Sequence, residues 1–213
     1  MTQVSFEQLV QRVGAGTDLA SFPTDTVPAL AARPEAARLI FAAKQRQFDK
    51  PLILMAAEAQ DIWPYVKGTD AEIAVWQQVG EQYWPGALTL VLPTRDSANT
   101  DFSVRAIAAM NPADPTTIGV RVPNHTVARS ILSHTGVLAT TSANRSGHPP
   151  LLTMAEISAQ FPQVLMLSEA ELASLTPNQL KTSAITASGL PSTVARWNGS
   201  GWDILRQGAI LLH

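Results

Sequence analysis

Leu52–Met55, Leu88–Leu92, Ile118–Val122 and Val137–Thr140 are runs of four or five largely apolar residues. Runs of that length, without polar alternation, suit strands covered on both faces of a sheet. Helical stretches separate them. Asp70–Tyr83 and Thr126–Ser133 read as helices. So does a segment that starts at Pro34, buries Leu39, Ile40 and Ala43, and ends near Lys44–Gln47. Ser5-Phe6-Glu7-Gln8 has the form of a capping box, with Leu9, Val10 and Val13 as its stripe and Gly14–Gly16 as its stop. Thr153-Met154-Ala155-Glu156 opens a further helix to about Gln160 in the same way. Leu19–Phe22 is a short buried strand stopped at Pro23, followed by a loop over Thr24–Pro28. Alternation of this kind predicts an α/β fold. Ser192–Trp197 and Trp202–Arg206 flank Asn198-Gly199-Ser200-Gly201, a hairpin signal that makes the sheet mixed rather than parallel. Residues 93–117 read as a long excursion with one helical turn around Val104–Met110.

At 213 residues, 46% of them apolar and 15% charged, the chain has material for one large core, taken as a single domain over 1–213. The net charge of -2 argues against a bulk basic surface for nucleic acid. The absence of cysteine removes disulfides, thiolate metal sites and cysteine nucleophiles. The first residues lack a basic, apolar leader pattern, and the apolar runs are too short to span a bilayer. A cytoplasmic protein is expected.

Three cations stand in Lys44-Gln45-Arg46-Gln47-Phe48-Asp49-Lys50, at a helix-to-strand junction. Such junctions carry ligands in α/β folds, and a triphosphate suits a guanidinium fork beside two ammonium groups. A solvated surface loop is the other reading of the same residues. Thr140-Thr141-Ser142-Ala143-Asn144-Arg145-Ser146-Gly147 follows a strand and offers hydroxyls and backbone N–H groups to an anion, or is simply a polar turn. Arg121, within Ile118–Val122, is costly to bury unless paired. It projects to solvent, meets an anionic ligand such as a carboxylate, or forms a structural salt bridge. Ser192-Thr193 and Arg206 line one cleft if the hairpin forms. Asp25 and Asp49 are the obvious acids near these groups. Four scattered histidines make no metal cluster, and no Gly-x-Ser-x-Gly elbow is present.

Taken in order, Phe22-Pro23-Thr24-Asp25-Thr26, Lys44-x-Arg46, Trp84-Pro85-Gly86-Ala87-Leu88-Thr89 and Val120-Arg121-Val122-Pro123 resemble the YrdC/TsaC/Sua5 family of threonylcarbamoyl-AMP synthases. Thr141-Ser142-Ala143-Asn144-x-Ser146-Gly147, Pro191-Ser192-Thr193-Val194 and Leu205-Arg206-x-Gly208 complete the match, which resembles the short form without the additional Sua5 domain. The resemblance implies a twisted mixed sheet with flanking helices around a large basic cavity. It implies a reaction in which L-threonine, bicarbonate and ATP, with Mg²⁺, give threonylcarbamoyl-AMP and pyrophosphate. The product passes to transfer proteins of the TsaD/TsaB/TsaE type for modification of tRNA. By position, Arg46, Lys50, Thr117, Ser142, Asn144 and Arg206 would bind ATP, with Lys44 and Arg46 as the catalytic cations. Thr26, Arg121, Thr140 and Ser192 would bind threonine. Pro28 and Ala29 replace the family's aromatic residue and glycine, Met55 stands where longer members place a histidine, and Pro150 replaces a serine. A double-stranded RNA or tRNA-binding module, with weak RNA contact, and a diverged nucleotide-binding paralogue are the alternatives.

Overall fold

The computed structural model describes residues 2–95, 102–176 and 188–212. Ten strands form one sheet: β1 (Thr2–Val4), β2 (Ala20–Phe22), β3 (Ala29–Ala32), β4 (Ile53–Met55), β5 (Leu88–Pro93), β6 (Thr117–Arg121), β7 (Leu138–Ser142), β8 (Leu165–Leu167), β9 (Thr193–Trp197) and β10 (Trp202–Arg206). The helices are α1 (Phe6–Gly14), α2 (Arg38–Lys44), α3 (Asp70–Tyr83), α4 (Phe102–Met110), α5 (Thr126–Thr135), α6 (Met154–Gln160) and α7 (Glu169–Leu175). Sheet order is β1-β8-β2-β3-β7-β4-β6-β5-β9-β10, with parallel and antiparallel pairs mixed.

The local signals act as expected at the helix starts. Ser5 accepts from the Gln8 N–H and the Gln8 side chain accepts from Ser5 N, both at 3.3 Å. Thr153 and Glu156 form the same reciprocal pair. The hairpin forms too, with Asn198 Oδ1 accepting from the Ser200 and Gly201 N–H groups in the turn.

Two expectations change, and one strand had no sequence expectation. Pro34–Ala36 is a short 3₁₀ turn, and the α-helix proper starts at Arg38. The single turn expected around Val104–Met110 is a nine-residue helix, α4, because Ala106, Ile107 and Met110 have a core to bury in. Ala29–Ala32 is a buried strand between β2 and β7, where alanine side chains fit a tightly covered sheet.

Strand alternation divides the two faces of the central sheet. Leu54, Leu88, Leu90, Leu92, Ile118, Val120, Ala139 and Ala195 face one side and join Ile40 and Phe41 of α2, Trp76 of α3, and Ile107 and Met110 of α4 in the main core. A second core holds Leu9 and Val13 of α1 against Val127, Ile131 and Leu132 of α5, together with Phe22, Met55 and Leu138. The opposite-parity residues of β4, β5, β6, β7 and β9 form the floor of a cavity.

Candidate functional site

The cavity is about 710 Å³. Its floor is read directly from strand register: Thr140 pairs with Ile53, Ile53 with Gly119, Gly119 with Val91, and Val91 with Arg196. Thr117, Gly119 and Arg121 follow one another along β6 on that face. Four residue steps at about 3.3 Å each separate Thr117 from Arg121 by about 13 Å. Thr26, Arg46, Thr117, Arg121, Thr140, Ser142, Asn144, Ser192 and Arg206 all line this one space.

One end is built around Arg121, whose residue is 4% exposed. Its Nε donates to Gly86 O at 3.0 Å, Nη1 to Thr26 Oγ1 at 2.9 Å, and Nη2 to Asp25 Oδ1 at 2.7 Å. Burial lowers its pKa, and the Asp25 charge opposes that. The loop carrying Asp25 and Thr26 is held by Thr24, whose Oγ1 donates to Val27 O at 2.7 Å and accepts from Thr26 N at 3.2 Å. Ser188 N and Gly189 N close over it, donating to Asp25 O and Thr26 O. Thr140 Oγ1 donates to Ile53 O at 3.1 Å, which leaves its lone pairs available. Arg121 thus forms a salt bridge with Asp25 and also lines the cavity.

Lys44, Ser142 and Asn144 converge on the end of β7 and the turn beyond it. α2 ends at Gln45 in the left-handed region, φ 50°, with Arg46 N donating to Phe41 O at 2.9 Å. Lys44 therefore turns inward: Nζ donates to Ser142 O at 2.5 Å and Asn144 Oδ1 at 3.1 Å. Asn144 Oδ1 also accepts from Ser142 Oγ at 2.5 Å, and its Nδ2 donates to Arg145 O and His148 O. Ser146 N completes the link by donating to Lys44 O. With 1% exposure, Lys44 has its pKa pushed down to about 7, by burial first and the Arg46 charge second. It lies beneath the cavity wall, reached through Ser142 and Asn144.

Arg46 lines the cavity while its Nε and Nη2 donate to Lys50 O and Pro51 O. Burial lowers its pKa, and Asp49 opposes that. Lys50 itself is exposed and its side chain does not line the cavity. Arg206 donates through Nε and Nη2 to Ser192 O and through Nη2 to Ser192 Oγ at 3.2 Å. Gly208 passes so near Ser192 that a Cβ would overlap its carbonyl. Thr117 Oγ1 donates to Asp114 Oδ2 at 3.3 Å. Pro150, Ala29 and Met55 also line the space.

Sequence reasoning missed Thr89, Gly119 and Thr24. Thr89 Oγ1 lies 2.8 Å from Ser192 Oγ, and both are buried. The signal available for Thr89 was its position between Leu88 and Leu90, which puts a hydroxyl on the face opposite the core. Among the described residues no group of three or more His, Cys, Asp or Glu gathers to hold a metal.

A family model covering Sua5, YciO and YrdC proteins, described as telomere recombination, matches residues 16–208. A threonylcarbamoyl-AMP synthase of Idiomarina loihiensis is 34% identical over 150 residues, covering 68% of this chain and 75% of its own. One from Photobacterium profundum is 30% identical over 162 residues, covering 74% and 81%. The crystal structure of P. abyssi Sua5 complexed with L-threonine superposes with a TM-score of 0.75 at 25% identity over 95% of this chain; the present chain spans 54% of it. The chain belongs to the Sua5/YciO/YrdC family.

Proposed function

We propose that this protein is an L-threonylcarbamoyladenylate synthase, joining L-threonine, bicarbonate and ATP to give the adenylate and pyrophosphate for tRNA modification. The observation that carries the reading is one cavity lined by both sets of groups, with Arg121, Thr26 and Thr140 in one and Arg46, Ser142, Asn144 and Arg206 in the other. Relatives named threonylcarbamoyl-AMP synthase, and a Sua5 structure holding L-threonine, support it.

In this reading Arg121 holds the threonine carboxylate, with Thr26, Thr140 and Ser192 around the rest of the amino acid. Its amine and bicarbonate form a carbamate with loss of water. A carbamate oxygen attacks the α-phosphorus of ATP, and pyrophosphate leaves. The groups that stabilise charge on the departing phosphates are Arg46, Arg206 and Lys44, the last through the wall formed by Ser142 and Asn144. Lys50 joins them only if its exposed side chain swings inward. Mg²⁺, if brought in with ATP, would neutralise part of the phosphate charge. No protein nucleophile takes part. The adenylate then passes to transfer proteins, and a cytoplasmic location fits that use. None of the described helices is long and apolar enough to cross a membrane.

Purified protein with ATP is expected to release pyrophosphate only when threonine and bicarbonate are both present. Release independent of either one would sink the assignment.

A further inference from the structure

Arg121 is offered to the cavity already partly occupied. A guanidinium has five N–H donors, and three hydrogen bonds to Gly86 O, Thr26 Oγ1 and Asp25 Oδ1 leave two for a ligand. One of those partners is a carboxylate, the same chemical group that an amino-acid substrate brings. Its side chain is 16% exposed, against 5% for Arg121, so the pair is poorly screened by water. Among the described residues His125 also lies within electrostatic reach of Asp25. Both its ring nitrogens are buried without a partner, and burial holds it towards its neutral form. Among the described residues Arg121 is therefore the cation bonded directly to Asp25, with Arg206 a second positive charge near Arg121.

We infer that Asp25 is a resident counter-ion that weakens the hold of Arg121 on the substrate carboxylate while fixing where that arginine points. The inference rests on the reading of Arg121 as the carboxylate holder. Two opposed effects follow from one contact. The Asp25–Arg121 bond at 2.7 Å orients the guanidinium and spares the substrate the entropy of ordering it. The same negative charge cancels much of the attraction a bare guanidinium would exert on an incoming anion. The amino acid is then recognised by Arg121 more through two directed N–H bonds than through that arginine's charge, and the acid group is released readily after turnover. Asp25 is a positioning residue in this scheme, acting on substrate through Arg121.

The test is L-threonine binding to Asp25→Asn and to Asp25→Ser, measured by calorimetry beside the unaltered protein, with ATP binding measured in parallel. Asparagine keeps an oxygen for Nη2 and removes only the charge. The expected result is about fivefold or more tighter threonine binding in Asp25→Asn. Asp25→Ser should bind threonine less tightly than Asp25→Asn, since it also loses the orienting contact, and ATP affinity should stay unchanged in both. A purely structural Asp25 would leave threonine affinity equal or lower, and that result overturns the inference. So does failure of both variants to fold, because a counter-ion essential for folding is a structural element. Absence of threonine binding by the unaltered protein would instead refute the assignment of Arg121, so the two failures are distinguishable.

Discussion

Replacing Lys44 with methionine removes a buried charge and should change how stability depends on pH. Lys44 is 1% exposed and its Nζ contacts are two neutral acceptors, Ser142 O and Asn144 Oδ1. Its pKa falls from 10.5 to about 7 in the folded chain. Between those values the unfolded chain binds a proton at this site that the folded chain does not, so the free energy of unfolding rises with pH. Each pKa unit is worth about 1.4 kcal/mol, so burial costs about 5 kcal/mol below pH 7 and nothing above the ordinary lysine range. About 2 kcal/mol of that cost is relieved between pH 7 and pH 9. Methionine keeps the stem and does not titrate. It also removes one donor from each of two acceptors, which keep the Asn144 N–H and the Ser142 hydroxyl; that loss of about 1 kcal/mol per hydrogen bond is independent of pH. Urea unfolding followed by tryptophan fluorescence at pH 7 and pH 9 isolates the difference. The unaltered protein should gain about 2 kcal/mol relative to Lys44→Met over that interval. Parallel pH dependence in the two proteins would refute the argument.

The same lysine should take up a proton when ATP binds, because phosphate charge nearby restores the ammonium form. Calorimetric heats at pH 8 should then vary with the ionisation enthalpy of the buffer, and buffer-independent heats would contradict this. A Cβ at Gly119 would make only ordinary contacts with Ile53 Cγ1 and Thr89 Cγ2, both at 3.5 Å. Gly119→Val should therefore fold with a stability change of about 1 kcal/mol or less, yet lose ligand binding about tenfold or more by filling the floor. Unchanged affinity would mean that ligand does not cross β6. Arg121→Lys keeps the charge and loses the fork. KM for threonine should rise about tenfold or more with KM for ATP little changed, and equal rises in both would break the proposed division of the cavity.

Much of the fold was readable because its signals are local. The bounds of α3, the capping boxes at Ser5 and Thr153, the hairpin turn at Asn198–Gly201 and the four apolar strands each depend on residues within a few positions. β3 was not readable because alanine is poor in strands and gives no alternation, even though its partner β2 is close in sequence. Among the site residues, Lys44 shows the limit most clearly. Three cations on one loop looked alike in sequence, yet Lys44 is buried, Arg46 is half-buried and Lys50 is exposed. A finer reading was available for the first: Lys44 follows Ile40 by one helical turn, which places it on the inward face of α2. The Asp25–Arg121 contact joins positions 96 residues apart, and nothing local pairs them.

The division of the central strands into alternating core and cavity residues has a consequence for how the protein fails. A slip of one residue in β6 would swing Arg121 and Thr117 into the apolar side and bring Ile118 and Val120 into the cavity. Correct pairing and a competent site are thus one event, with no well-packed but inactive register between them. Ligand should therefore act as a clamp on the whole middle of the sheet. Saturating ATP or threonine should slow amide exchange in β4, β5, β6 and β7 together, well beyond the residues that touch it.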